Sequence, residues 1–131
     1  MDLVENVKNV WNGEMQKNKI KTYKIGYRIS QLYHNGACCY FYFGFKPEQI
    51  SDESFEIFDK ARLKIFEAAH STGGALSHHH GIGKKMKEHF VKAASDVELK
   101  ILRAIKRDVD PKNIFAAGNL LDVEEISKAK L

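Results

Sequence analysis

Lys21-Thr-Tyr-Lys-Ile-Gly-Tyr-Arg-Ile-Ser-Gln-Leu-Tyr33, the turn His34-Asn35-Gly36 and Ala37-Cys-Cys-Tyr-Phe-Tyr-Phe-Gly-Phe45 are the stretch on which the fold turns. In its first part Tyr23, Ile25, Tyr27 and Ile29 alternate with Thr22, Lys24, Gly26 and Arg28, the two-residue period of a half-buried strand. Asn35 and Gly36 tolerate positive φ at little cost, which suits a tight turn. The second run is apolar and aromatic without a break and reads as a strand covered on both faces. The spacing predicts an antiparallel hairpin with strands over 21–33 and 37–45, the second the more central.

Helical patterns flank the hairpin. Leu3, Val4, Val7, Val10 and Trp11 recur at helical spacing, with Asn12-Gly13 as a stop, and Trp11 is expected to pack on the sheet. After Pro47, Ser51 followed by Asp52 and Glu53 is an N-cap with acids where the helix dipole favours them. Phe55, Phe58, Arg62, Ile65, Phe66 and Ala69 then trace one face of a helix to His70, and Ser71-Thr72-Gly73-Gly74 ends it. Ala75 to Gly83 reads as a loop or an edge strand. Lys84 to Ala94 suits a basic helix, and Ser95 with Glu98 makes a capping box for another that stops before Pro111. Asp108 to Phe115 reads as a turn anchoring Ile114 and Phe115 in the core. The class is α+β: an antiparallel sheet with packed helices and a helical C-terminal extension.

At 131 residues, 44% hydrophobic and 29% charged, the chain has the size and core of one domain and is not disordered as a whole. The longest apolar run, Ala37 to Phe45, is about half of what a membrane helix needs. Cys38 and Cys39 are adjacent, point to opposite faces of a strand, and read as reduced thiols. A net charge of +4 is modest and spread along the chain, as on an ordinary solvated surface.

Gly73-Gly74-Ala75-Leu76-Ser77-His78-His79-His80-Gly81-Ile82-Gly83-Lys84 is the least ordinary segment. In an extended chain His78 and His80 face one side and His79 the other. Glycines allow close approach, and neutral imidazoles donate, accept and transfer protons near neutral pH. A ligand-facing loop and a His-rich surface turn both remain open. Metal is not expected, because a closed site wants about four converging ligands and no Cys-x-x-Cys spacing exists. Position 78 is His where a Walker loop needs Gly, and Lys85 replaces its Ser or Thr, so an ATP-type loop is rejected; Lys84 at a helix start would still suit one phosphate group. Tyr40 and Tyr42 share a strand face, where a buried hydroxyl needs a partner. A non-catalytic α+β module binding a phosphorylated ligand, or nucleic acid through exposed ring faces, is the alternative.

The strings Gly36-Ala-Cys-Cys-Tyr40-Phe-Tyr-Phe43, Gly73 to Lys84, Val109-Asp-Pro-Lys-Asn-Ile-Phe115 and Asn119-Leu-Leu121 together resemble the C-terminal part of the alkylglycerone-phosphate synthase family, a branch of the FAD-linked oxidases of the vanillyl-alcohol oxidase type. The likeness runs from about Tyr27 to Leu121. It implies exchange of the acyl group of acyl-dihydroxyacetone phosphate for a long-chain fatty alcohol in ether lipid biosynthesis, with FAD taking part without net redox. On that pattern Tyr40 is the catalytic acid/base, and His78, His79 and His80 are active-site histidines. Asn119, Leu120 and Leu121 form a functional tail, and Lys84 is a candidate for the substrate phosphate. The family's FAD-binding domain precedes this part, so the chain by itself is expected to bind FAD poorly and to be inactive. Residues 1–121 are then one C-terminal oxidase segment and 122–131 a tail. Its ending, Ala129-Lys130-Leu131, resembles a peroxisomal address read by an import receptor. No DNA or RNA partner is expected, and a homodimer is left open.

Overall fold

The computed structural model describes residues 2–121. The elements run α1 (Leu3–Lys17), β1 (Thr22–Tyr33), β2 (Gly36–Lys46), α2 (Asp52–His70), α3 (Lys87–Ala93) and α4 (Asp96–Val109), an α+β fold as the patterning predicts. They form two compact units, Met1–Ala75 and Leu76–Leu131.

In the first unit α1 and α2 lie on one face of the β1–β2 hairpin. Asp2 caps α1 by accepting the Val4 amide at 2.8 Å. The helix then runs through Asn12-Gly13 to Lys17. The expected stop fails because Val7, Trp11 and Met15, one turn apart and all fully buried, gain more from packing than the roughly 1 kcal/mol that an internal glycine costs. Gly13 sits on the exposed side, where it disturbs nothing.

The buried face of α2 is rotated from the expected one. Ser54, Ala61, Ile65 and Ala68 are buried, Ile57, Phe58 and Ala69 pack beside the core, and Phe55 is 63% exposed. Large rings carry the sequence pattern, but Ala61 and Ala68 let α1 come close. Asn6 Nδ2 donates to the Ala68 carbonyl at 2.8 Å, and Lys64 pairs with Glu14 at 2.6 Å across the two helices. Ser51 caps α2, and Ser51 and Ser54 exchange backbone and side-chain bonds in a capping box. Gly74, just past the helix, leaves no room for a side chain: a Cβ there would lie 2.8 Å from the Ala69 carbonyl oxygen and 2.9 Å from Leu3 Cδ1.

The hairpin departs from expectation in two ways. None of His34, Asn35 and Gly36 adopts positive φ; the left-handed residue is Gln31, φ 54°, at a bulge between Ser30 and Leu32. The sheet also has only two strands among the described residues, so β2 is an edge and not a central strand. Its covered face carries Phe41, Phe43 and Phe45 beside Tyr23 and Ile25. Tyr42, on the other face, is 53% exposed. Trp11 meets the covered face as expected, with ring centroids 4.9 Å from Phe43, 6.5 Å from Phe45 and 6.4 Å from Phe58.

In the second unit the histidine segment is loop, not strand, and α3 begins at Lys87, after a turn through Lys84. Ser95 and Glu98 close the capping box that starts α4. Ile114 and Phe115 are 67% and 72% exposed, so they do not anchor the following turn. The buried carboxylate of Asp110 does, by accepting the amides of both, at 2.9 Å each.

Candidate functional site

Tyr40 is set by the hairpin register. The bulge pairs it with Arg28, whose guanidinium carbon lies 5.0 Å from the Tyr40 ring centroid. The phenol donates to Gln31 Oε1 at 3.3 Å. A bulge re-aims side chains, and here the extra residue itself reaches the hydroxyl. Partial burial pushes the Tyr40 hydroxyl above its usual value, Cys38 adds to this, and Arg28 opposes it. Tyr40 therefore keeps its proton at neutral pH and is poised to give one. Sequence pattern alone singles out neither Arg28 nor Gln31. Arg28 becomes legible only once the bulge is placed, because counting back from a tight turn sets Ile29 opposite Tyr40.

Next to Tyr40, Cys38 is buried and Cys39 half-buried, both free thiols, with burial raising the Cys39 thiol. Phe41 packs against the core, so its ring face is not offered for base stacking.

In the second unit His78, His79 and His80 lie in succession on the surface. His78 and His79 share a hydrogen bond between their Nδ1 atoms at 2.7 Å, and their rings meet edge to face, as do those of His79 and His80 at 4.1 Å. That bond needs one ring to donate and the other to accept, so the two cannot both be imidazolium. Partial desolvation pushes the His79 imidazole below its usual value, and His80 and His78 push the same way. His79 is therefore uncharged at neutral pH and bonded to a ring with which it can exchange a proton. Gly81 and Gly83 after the triplet have φ of +74° and +61°, which a β-branched residue would resist.

The structure brings the tail to this loop. A Cβ built on Gly83 would lie 3.6 Å from Asn119 Oδ1. Leu121 is buried and Leu120 half-buried, and Leu120 holds φ +62°. Lys84 is exposed. Tyr40 belongs to the first unit, and the histidines, Lys84 and tail belong to the second. Among the described residues no three His, Cys, Asp or Glu side chains are grouped to hold a metal ion.

The described residues do not fit FAD as a whole. A pyrophosphate cradle wants a glycine turn between a strand and a helix. The one strand-to-helix connection among them, from Pro47 to Ser51, has no glycine, and Gly81-Ile82-Gly83 leads only to the seven-residue α3.

Residues 4–120 match the model of the FAD linked oxidases, C-terminal domain. The alkyldihydroxyacetonephosphate synthase of Caenorhabditis elegans is 35% identical over 125 residues, covering 94% of this chain and 21% of that protein. Its Dictyostelium discoideum counterpart is 32% identical over 93 residues, 71% of this chain and 15% of that protein. An uncharacterized FAD-linked oxidoreductase of Escherichia coli is 30% identical over 106 residues, 77% of this chain and 21% of that protein. The chain thus spans about a fifth or less of each of these relatives. With the family match crossing both units, the chain belongs to the FAD-linked oxidases, as a C-terminal domain of the alkylglycerone-phosphate synthase-like kind.

Proposed function

We propose that this chain supplies part of the substrate side of an FAD-dependent alkyl transfer, in which the acyl group of acyl-dihydroxyacetone phosphate is exchanged for a long-chain fatty alcohol. In this reading Tyr40 is the acid/base at the substrate carbon, and His78, His79 and His80 hold and move protons in the second unit. Lys84 meets the phosphate, and Asn119, Leu120 and Leu121 form the functional tail, of which Asn119 stands beside the histidine loop. FAD is held by residues outside this chain, so the isolated chain is inactive. The single observation that carries the reading is Tyr40: a half-buried phenol, kept protonated, under the Arg28 guanidinium and bonded to the bulge residue Gln31.

The test is a chimera of the nematode synthase in which residues 4–120 replace the matching segment. Incorporation of labelled hexadecanol into the ether product is expected in the folded, FAD-loaded protein. A chimera that is folded and loaded but releases no acyl group and incorporates no alcohol would overturn the assignment.

We also propose a peroxisomal location, read from Ala129-Lys130-Leu131 by an import receptor; these residues lie outside the described ones. A fluorescent protein ending in residues 122–131 is expected to collect in peroxisomes, and an even cytosolic distribution would refute the address.

A further inference from the structure

Asp110 is a buried acid to which the proposed chemistry gives no task, yet it is among the most heavily bonded side chains of the second unit. It is 7% exposed. Oδ1 accepts the Ile114 amide and Oδ2 the Phe115 amide, each at 2.9 Å. Lys106, one turn earlier on α4, donates from Nζ both to Asp110 Oδ2 and to the Phe115 carbonyl. One carboxylate and one ammonium thus grip both sides of the peptide chain where it leaves the helix. A neutral amide in place of the carboxylate has one acceptor oxygen, so it cannot serve both amides and the lysine as the carboxylate does.

Beyond the clasp the chain takes a short, strained path. Asn113, Ala116, Gly118 and Leu120 all hold positive φ, which asparagine and glycine tolerate cheaply but which costs about 1 kcal/mol or more at each of Ala116 and Leu120. The path is tied by the Asn119 amide donating to the Ala116 carbonyl at 2.9 Å, and it ends in buried Leu121. Such a path persists only where its surroundings over-determine it. Its product is Asn119 Oδ1 standing next to Gly83, three residues after the histidine triplet. Gly83 is itself left-handed, with φ +61°.

We propose that Asp110 is a positioning residue: the Asp110–Lys106 clasp sets the course of residues 113–121 and thereby seats Asn119 against Gly83 in the histidine loop. The inference deepens the proposed function by assigning what holds its C-terminal wall. Asp110 touches no substrate in this account and acts through Asn119. Lys106, and the two amides with it, hold the Asp110 carboxyl below the usual carboxylate range against the upward push of burial, which agrees with a carboxylate charged at neutral pH.

The test uses the 131-residue chain and nuclear Overhauser contacts. In the unsubstituted protein a contact between Gly83 Hα and the Asn119 side-chain amide is expected. Asp110→Asn should abolish it and shift the Gly83 amide resonance, while the Leu99 methyl signals keep their positions because α4 is capped independently by Ser95 and Glu98. If the Ile114 and Phe115 amides shift but the Gly83–Asn119 contact survives, Asp110 merely closes the helix end and the proposal fails. Should Asp110→Asn unfold the unit, Lys106→Gln removes the cation and leaves both amide bonds available. That variant should weaken the contact at least threefold, and an unchanged contact overturns the proposal. These spectra need no turnover, so a failed positioning role is told apart from a failed assignment of the exchange reaction.

Discussion

Tyr40→Phe in the flavin-loaded chimera is expected to lower alcohol-for-acyl exchange by about 10²–10⁴-fold, the usual weight of a positioned general acid or base. The substitution removes one oxygen and little else. The ring stays under Arg28, the hairpin keeps its register, and what is lost is the hydroxyl's bonding, which includes the contact with Gln31 at 3.3 Å and a side-chain bond with Cys38. Stability should fall by no more than about 1–2 kcal/mol, the usual net worth of such neutral bonds at a half-open site. That separates a chemical effect from a folding one. The pH profile adds a second reading. With its hydroxyl raised by burial and by Cys38, Tyr40 remains protonated through neutral pH, and the form able to donate is lost only above the ordinary tyrosine range. Any alkaline limb that belongs to Tyr40 must lie there and must vanish in the Phe variant. Exchange at the unsubstituted rate in Tyr40→Phe would remove the residue from the mechanism.

Trp11→Ala should be the most damaging single change to the first unit. The indole is fully buried and touches aromatic rings from both β2 and α2, so it joins all the layers of that core. Truncating such a side chain leaves a cavity that helices with fixed caps cannot close, and the cost is about 3–5 kcal/mol. Small domains have only about 5–15 kcal/mol in total. Thermal melts followed by far-UV circular dichroism should show the helix signal lost at much lower temperature, or absent at 25 °C. A drop below about 1 kcal/mol would mean that Trp11 is not the centre of this core. The indole Nε1 finds no hydrogen-bond acceptor among the described residues. Trp11→Phe, which gives up that polar atom and keeps much of the ring, should therefore cost far less.

Local chemistry makes much of this fold legible from sequence. The Ser51 and Ser95 caps, the glycines around the histidines and the apolar side of α1 each depend on residues close in the chain, and each appears where the pattern puts it. The alternation of β1 holds at Tyr23 and Ile25 but lapses at Tyr27 and Ile29, which are 49% and 55% exposed because the helices cover only the first half of the strand. The candidate site is visible there too, as residue types at motif spacing: a phenol in an aromatic strand and imidazoles between glycines. The features that pattern does not show share one cause, an outcome that depends on a partner distant in sequence. The face of α2 turns toward Ala61 and Ala68 because α1 needs close approach, which large rings would block. The end of α4 is held by a buried carboxylate instead of Ile114 and Phe115, because an acid that reaches two amides and a lysine recovers in bonds what burial takes from it.

The bulge at Gln31 is the clearest case. A tight turn at His34-Asn35 followed by unbroken pairing would set Ile29 opposite Tyr40 and put Phe41, Phe43 and Phe45 on the same side as Lys24 and Arg28. One extra residue slips the register by one, so that Phe43 faces Ile25 and Phe45 faces Tyr23 over the helices, and Tyr40 is handed to Arg28. Composition and periodicity thus settle that there is a hairpin, which helices accompany it and which segments hold the phenols and imidazoles. They cannot settle the register, because a two-residue period fits either alignment equally well, and only burial of one whole face against α1 and α2 breaks the tie.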